Sequence, residues 1–255
     1  MKASNVRLII IVVLVTAVAC NACKKSSSAA TGTATTPVPD IYKKIYGATD
    51  MYVEGNCVVI KCNALPDHKS PYYKGTAWEA TKYETYAAGG GTNPLWNQNP
   101  NTIASQNLTF KIPLSPTVAT AHAATPLGSM GVSINGVPFF NQYAAGGSPL
   151  TGEVNSFDEY LGHPQMQGMY HYHEEPTFLT TSKGKSALMG FLLDGFPVYG
   201  PQEMNGATAT GLDAYHGHTG VTADYPNGIY HYHANQTDPY INGSGFYGTP
   251  GTVSQ

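Results

Sequence analysis

The sequence predicts a mainly β domain, sandwich- or barrel-like, with an internal tandem duplication and few short helices. Three observations carry this. Glycine (28), proline (18) and tyrosine (18) are abundant while charged residues make up only 11%, a composition of turns and short strands rather than long amphipathic helices. The apolar stretches are short and rich in β-branched residues, as in NCVVIKC ending at Cys62. An ordered set of motifs occurs twice, each time ending in Tyr-His-Tyr-His.

Lys2 and Arg7 precede an apolar run, Leu8 to Val18, broken only by Thr16. That is the length of a signal-peptide core and too short to span a bilayer comfortably. Ala17-Val18-Ala19 then leads into Cys20. Residues 1–19 are therefore expected to be a lipoprotein signal peptide, with Cys20 lipidated. Cys23 is the second candidate, and ordinary secretory cleavage is the alternative. Residues 20–40 have almost no large apolar side chain, so they are expected to form a flexible tether. The chain would then be an exported lipoprotein, held to the membrane by its lipid on the periplasmic side or the cell surface. Residues 41–255, about 215 in number, suffice for one domain with a sizeable core. A net charge of −3 and no basic run beyond Lys24-Lys25 argue against nucleic acid as partner.

MYVEGNCVVIKC, from Met51, and NLTFKIPL, from Asn107, read as strands, and residues 63–106 between them as mostly loop. Cys57 and Cys62 sit five apart on one strand, so their sulfurs point to opposite faces and no bond between them is expected. They also lack the spacing of a zinc knuckle.

The repeat halves run from about 130 to 173 and 189 to 233. MGVSINGVPFFN, FDEYLGH and GMYHYH in the first answer to MGFLLDGFPVYG, GLDAYHGH and GIYHYH in the second, in the same order and at offsets of 55 to 60 residues. Two units are too few for a solenoid, so the halves are expected to pack face to face about a pseudo-twofold axis. Asn135-Gly136 and Asp194-Gly195 are hairpin-turn signals, and Pro138 and Pro197 restrict the returning strand to an edge or a short segment. A helical turn is expected near Phe157–Leu161 and near Leu212–His216.

In a strand, alternate side chains share a face. His171 and His173 therefore project together and Tyr170 and Tyr172 to the other side; the same holds for His231 and His233 against Tyr230 and Tyr232. The imidazoles are expected at a surface, with the tyrosines toward the core and their hydroxyls hydrogen-bonded. Each half offers a third imidazole, His163 or His218. Three nitrogens and one open position form a common catalytic metal arrangement, and imidazole suits copper and zinc. A His-x-His pair alone is as well explained by a hydrogen-bonded polar ladder. Matched placement of six of the nine histidines tips the balance, because clustered imidazoles repel once protonated. Asp158 and Asp213 each precede the Gly-His histidine by five residues. Either they cap the turn or they orient an imidazole from behind the metal by accepting its other N–H.

With these motifs in place the chain resembles the bacterial YHYH-domain family. The match takes in residues 170–173 and 230–233, Leu65-Pro66-Asp67-His68, Asn135-Gly136-Val137-Pro138, Leu161-Gly162-His163-Pro164, the run Leu193 to Pro201, and Gly217-His218-Thr219-Gly220. It covers roughly residues 50 to 248. The resemblance implies an exported protein and raises His68 as a further ligand; it implies no particular reaction.

Two functions follow from these readings. The first is a cell-envelope protein binding a transition metal, copper or zinc, through the repeated histidines, with an open position that would permit oxidation or hydrolysis. Copper is favoured because it binds nitrogen sites most tightly. The alternative is a binding module without metal, recognising carbohydrate or peptide through a Tyr/His-rich groove. The sequence contains no Gly-x-Ser-x-Gly, no His-Glu-x-x-His and no phosphate-cradling loop that would name a reaction.

Overall fold

A computed structural model describes residues 36–255. The expected signal peptide, Cys20 and most of the expected tether lie outside them. The described chain is mainly β and forms two open sheets.

The smaller sheet begins with a hairpin of β1 (Ala48–Glu54) and β2 (Cys57–Cys62), continues with β3 (Leu108–Pro113) and ends with β12 (Thr252–Ser254). β2 is a central strand, and Cys57, Val58, Val59, Ile60 and Cys62 are all buried. That explains its continuous apolar run. Cys62 carries a free, buried thiol, so it is not joined to Cys57. Burial pushes that thiol up to about 12. Residues between β2 and β3 are mostly loop, with a 3-10 turn at Pro71–Tyr73 and a single-turn helix α1 (Glu79–Lys82).

The larger sheet holds both repeats. The first supplies β4 (Gly131–Ser133), β5 (Pro138–Phe139), β6 (Gly162–Pro164) and β7 (Tyr170–Tyr172). A short helix, α2 (Thr177–Lys183), links it to the second, which supplies β8 (Leu188–Leu192), β9 (Pro197–Tyr199), β10 (Gly217–Gly220) and β11 (Ile229–His233). The strand order is β10-β11-β9-β8-β4-β5-β7-β6. Reading outward from the middle, each half runs hairpin, parallel neighbour, antiparallel edge.

The halves therefore join edge to edge through β4 and β8, not face to face as expected. The reason is an open hairpin edge in each half whose backbone groups need partners. The open strand orders also settle the choice between sandwich and barrel, because neither sheet closes. Both sheets contribute to one apolar core. Val58, Ile60, Phe110 and Ile112 come from the smaller, and Val132, Phe139, Phe191 and Val198 from the larger.

The expected helical turns are tight turns instead. Leu161 N–H donates to Asp158 O (3.0 Å) and His216 N–H to Asp213 O (3.0 Å). The fourth residue of each, Leu161 or His216, is left-handed at φ 61° or 65°. That residue reverses the chain at once, so no helix propagates. β5 and β9 are short, as the prolines require, but lie inside the sheet. Phe139 O accepts from Met130 N on one side while Phe140 N donates to Tyr172 O on the other, so Pro138 need donate nothing.

Candidate metal centres

Each centre stands on a two-strand corner. In the first half β6 pairs antiparallel with β7, setting His163 opposite His171. In the second β10 pairs with β11, setting His218 opposite His231. Glycine before each of His163 and His218 is a packing requirement. A Cβ at Gly162 would lie 2.5 Å from the Tyr170 hydroxyl oxygen, and one at Gly217 2.5 Å from that of Tyr230.

Those tyrosines are anchored from below. Tyr170 donates to Asp158 (2.8 and 2.9 Å), which also accepts from Ser70 Oγ (2.6 Å) and from the Tyr160 amide (2.9 Å). Tyr230 donates to Asp213 (2.9 and 3.1 Å), which accepts from the Tyr215 amide (2.8 Å). The two aspartates thus cap their turns and hold a tyrosine. Among the described residues, no hydrogen bond joins either to an imidazole of the two triads. Their reach to the histidines runs through the turn and the strand. Tyr232 donates to Asp194 (2.6 Å), so Asp194 does more than make a turn. In the matching place Asn135 bonds the Tyr172 hydroxyl at 3.1 Å.

The imidazoles are brought together. In the first centre His163 Nε2 lies 3.1 Å from His171 Nε2, which lies 2.9 Å from His173 Nε2. In the second His218 Nε2 is 3.2 Å from the Nε2 of both His231 and His233. The other ring nitrogens decide the tautomers. His171 Nδ1 faces Met169 O (3.0 Å) and His173 Nδ1 faces Asn141 O (2.6 Å). His231 Nδ1 faces Ile229 O (3.0 Å) and His233 Nδ1 faces Gly200 O (2.7 Å), at matched places of the repeat. A carbonyl only accepts, so each Nδ1 carries the proton and each Nε2 keeps its lone pair. His163 Nδ1 meets Ser156 Oγ at 2.7 Å, which lies 2.8 Å from Glu153 O, and the Asn99 side-chain amide nitrogen at 3.3 Å.

The lone pairs of His171 Nε2 and His173 Nε2 thus face one another at 2.9 Å with no proton between them. Burial, with the neighbouring imidazoles adding to it, holds His163 and His171 well below the ordinary histidine range. Burial alone brings His173 to about 4, and chiefly burial brings His231 to about 4. Protonation of these four therefore does not relieve the crowding near neutral pH. A cation bound to all three nitrogens does. Nitrogens about 2.0–2.1 Å from one ion stand roughly 2.9–3.4 Å apart for angles between 90° and tetrahedral.

Two features differ from expectation. Five of the six imidazoles are buried rather than surface-facing, because loops cover the His face as the core covers the Tyr face. Phe140 stacks on His171 at 3.9 Å and Phe157 lies edge-on to His163 at 4.8 Å. Only His218 is a quarter exposed. His68 is not brought into either triad. It lies on the tyrosine side, its Nε2 3.3 Å from the Tyr172 hydroxyl, its ring against Tyr160 and Phe178.

Sequence reasoning missed two glutamates. Glu203 Oε1 lies 3.1 Å from His218 Nε2 and 3.5 Å from His233 Nε2. Glu153 Oε1 lies 3.3 Å from His163 Nε2. The available signal was order. Each is the lone acid between the Gly-x-Pro turn and the aspartate preceding Gly-His.

No curated protein and no solved structure matches the chain. A family model, described as YHYH protein, matches residues 109–210 and 202–245, which takes in both triads and more than half of the chain. The chain belongs to the YHYH family.

Proposed function

We propose that this protein binds transition metal, copper or zinc, at two centres, His163–His171–His173 and His218–His231–His233. One observation carries the reading. In each set the paired imidazoles, His171 and His173 or His231 and His233, commit Nδ1 to carbonyls and aim bare Nε2 atoms at a common point that the third imidazole's Nε2 also reaches. A hydrogen-bonded polar core would alternate donors with acceptors; at His171 and His173 acceptor faces acceptor. The four tyrosines of the Tyr-His-Tyr-His strands, Tyr170, Tyr172, Tyr230 and Tyr232, are buried with their hydroxyls committed, which removes them from a ligand groove. Nitrogen-rich sites favour copper in affinity, while three imidazoles with a carboxylate suit zinc equally in type. We further propose that the chain works in the cell envelope as a lipoprotein anchored at Cys20, on the strength of its N-terminal sequence. Mass spectrometry of the native N-terminus tests the anchor; an unmodified start beyond Cys23 refutes it.

The test of the metal reading is elemental analysis of protein purified without a histidine tag. About two equivalents of copper or zinc per chain are expected. Protein that neither retains metal nor takes it up on titration refutes the proposal.

A further inference from the structure

The two centres share three imidazoles but not their surroundings. Beside His171 and His173 lies a cavity of about 510 Å³, within the range of small-molecule sites. Beside His231 and His233 the corresponding space is about 10 Å³, room for roughly one water.

The acids differ as well. At the second centre the Glu203 oxygen and the three ring nitrogens all lie within 4.8 Å of one another. That is a complete four-ligand set. At the first centre the group meeting this limit is the three histidines alone. Glu153 approaches only the His163 edge and otherwise forms part of the cavity wall.

We propose that the first centre keeps an open coordination position facing the cavity and binds a small uncharged organic molecule through an oxygen or nitrogen donor, while the second is a closed, structural centre completed by Glu203. This rests on the metal reading above. The cavity wall identifies the ligand class. Phe140, Met169 and Leu127 offer an apolar surface, and Gln165 and Asn141 offer amides. Glu153 is the only charged side chain among the described lining residues. With no Lys or Arg, nothing offsets the desolvation of an anionic group remote from the metal. A cationic ligand would meet the ion's own charge. A neutral molecule with an apolar body and one donor atom fits both constraints. The partial exposure of His218 does not reopen the second centre, because closure there is set by the number of protein ligands.

Cobalt(II) loaded into the full mature chain reports coordination through its visible absorption, and imidazole serves as the neutral donor. Two equivalents of cobalt are expected. Imidazole should change the spectrum of the His231→Ala/His233→Ala variant, which retains the first centre, and leave that of His171→Ala/His173→Ala unchanged. Because these histidines are buried and either variant could misfold, Ala144→Trp in the cavity wall gives a second test with both triads intact. It should still take up two equivalents while binding imidazole at least tenfold more weakly. Two equivalents with no response to imidazole, an equal response from the second centre, or unchanged imidazole affinity in Ala144→Trp overturns the asymmetry alone. Failure to bind cobalt at all overturns the metal reading and this proposal together.

Discussion

Val132 lies directly opposite Phe191 across the β4–β8 junction, and the two are the same position in the two copies of the repeat. Gly131 pairs with Leu192, and Ser133, the equivalent of Leu192, pairs with Gly190, the equivalent of Gly131. The flanking bonds obey the same rule: Ile134 N–H donates to Met189 O (2.8 Å) and Leu193 N–H to Met130 O (2.9 Å). This is the self-complementary contact of a twofold dimer, built within one chain. It places the two histidine triads at opposite ends of one sheet.

The junction depends on its two glycines. A Cβ at Gly131 would lie 2.5 Å from Phe191 O, and one at Gly190 would lie 2.2 Å from Val132 O. Gly131→Ala and Gly190→Ala should each push β4 from β8 and destabilise by about 1–3 kcal/mol or more. Thermal denaturation checks this. Unchanged melting for both would show that the halves do not rely on this contact.

Asp158 and Asp213 should differ in weight although they occupy matched positions. Asp158 is 1% exposed and satisfies Ser70, Tyr170 and two turn amides. Asp213 is exposed and holds Tyr230 and two turn amides. Asp158→Ala strands buried donors and should cost about 2 kcal/mol or more. By loosening the turn that aims His163 it should also weaken metal at the first centre about 10–100-fold. Asp213→Ala should do less on both counts. Denaturant titration and metal competition on the two variants decide it, and the reverse ranking would refute the anchoring role.

Replacing His171 and His173 by Ala should remove metal from the first centre and leave about one equivalent at the second. The imidazoles are 1% and 2% exposed, so the variant should also lose stability, on the order of a few kcal/mol, through emptied volume beside Phe140 and Phe157. Elemental analysis and thermal melting read the two effects separately. Retention of two equivalents would show that these side chains are not ligands.

Period-two alternation and matched motif order made much of this legible in the sequence. The strands β2, β3, β7 and β11, the common face of each His-x-His pair and the third imidazole of each set all follow from them. What stayed hidden depends on contacts between segments that carry no common pattern. The repeat implies two copies but not which edges meet; that is set by backbone approach at Gly131 and Gly190. Glu203 stands on a loop and Glu153 in the 3-10 helix Leu150–Ser156, neither with a periodic pattern, and they lie at different distances from their aspartates. Asp194 was legible as a turn residue through the amide of Phe196 but not as the acceptor for Tyr232, 38 residues away. His68 belongs to the shared motifs, yet it stands on a bend that puts it on the tyrosine side.

Acid should weaken the metal-free fold through these histidines, and the direction follows from their depressed proton affinity. His173 titrates near 4 in the fold and about 6.5 when unfolded. Between those values the unfolded chain binds a proton that the native chain refuses. The stability from this group is thus present above 6.5 and lost as pH falls toward 4, by on the order of 3 kcal/mol. Buried carboxyls act in the opposite sense. Burial raises Asp194 to about 6, Glu174 to about 7 and Glu159 to about 8, so the native state takes up their protons first. A paired comparison removes them: the gap in unfolding free energy between metal-free wild type and His173→Gln should shrink by about 3 kcal/mol from pH 7 to pH 4. Denaturant titrations at intervals across that range measure it. Metal bound at Nε2 competes with the proton, so zinc-loaded protein should hold its stability to lower pH and release the ion as the imidazoles charge. A gap that stays constant with pH would mean that His173 is not held neutral in the fold.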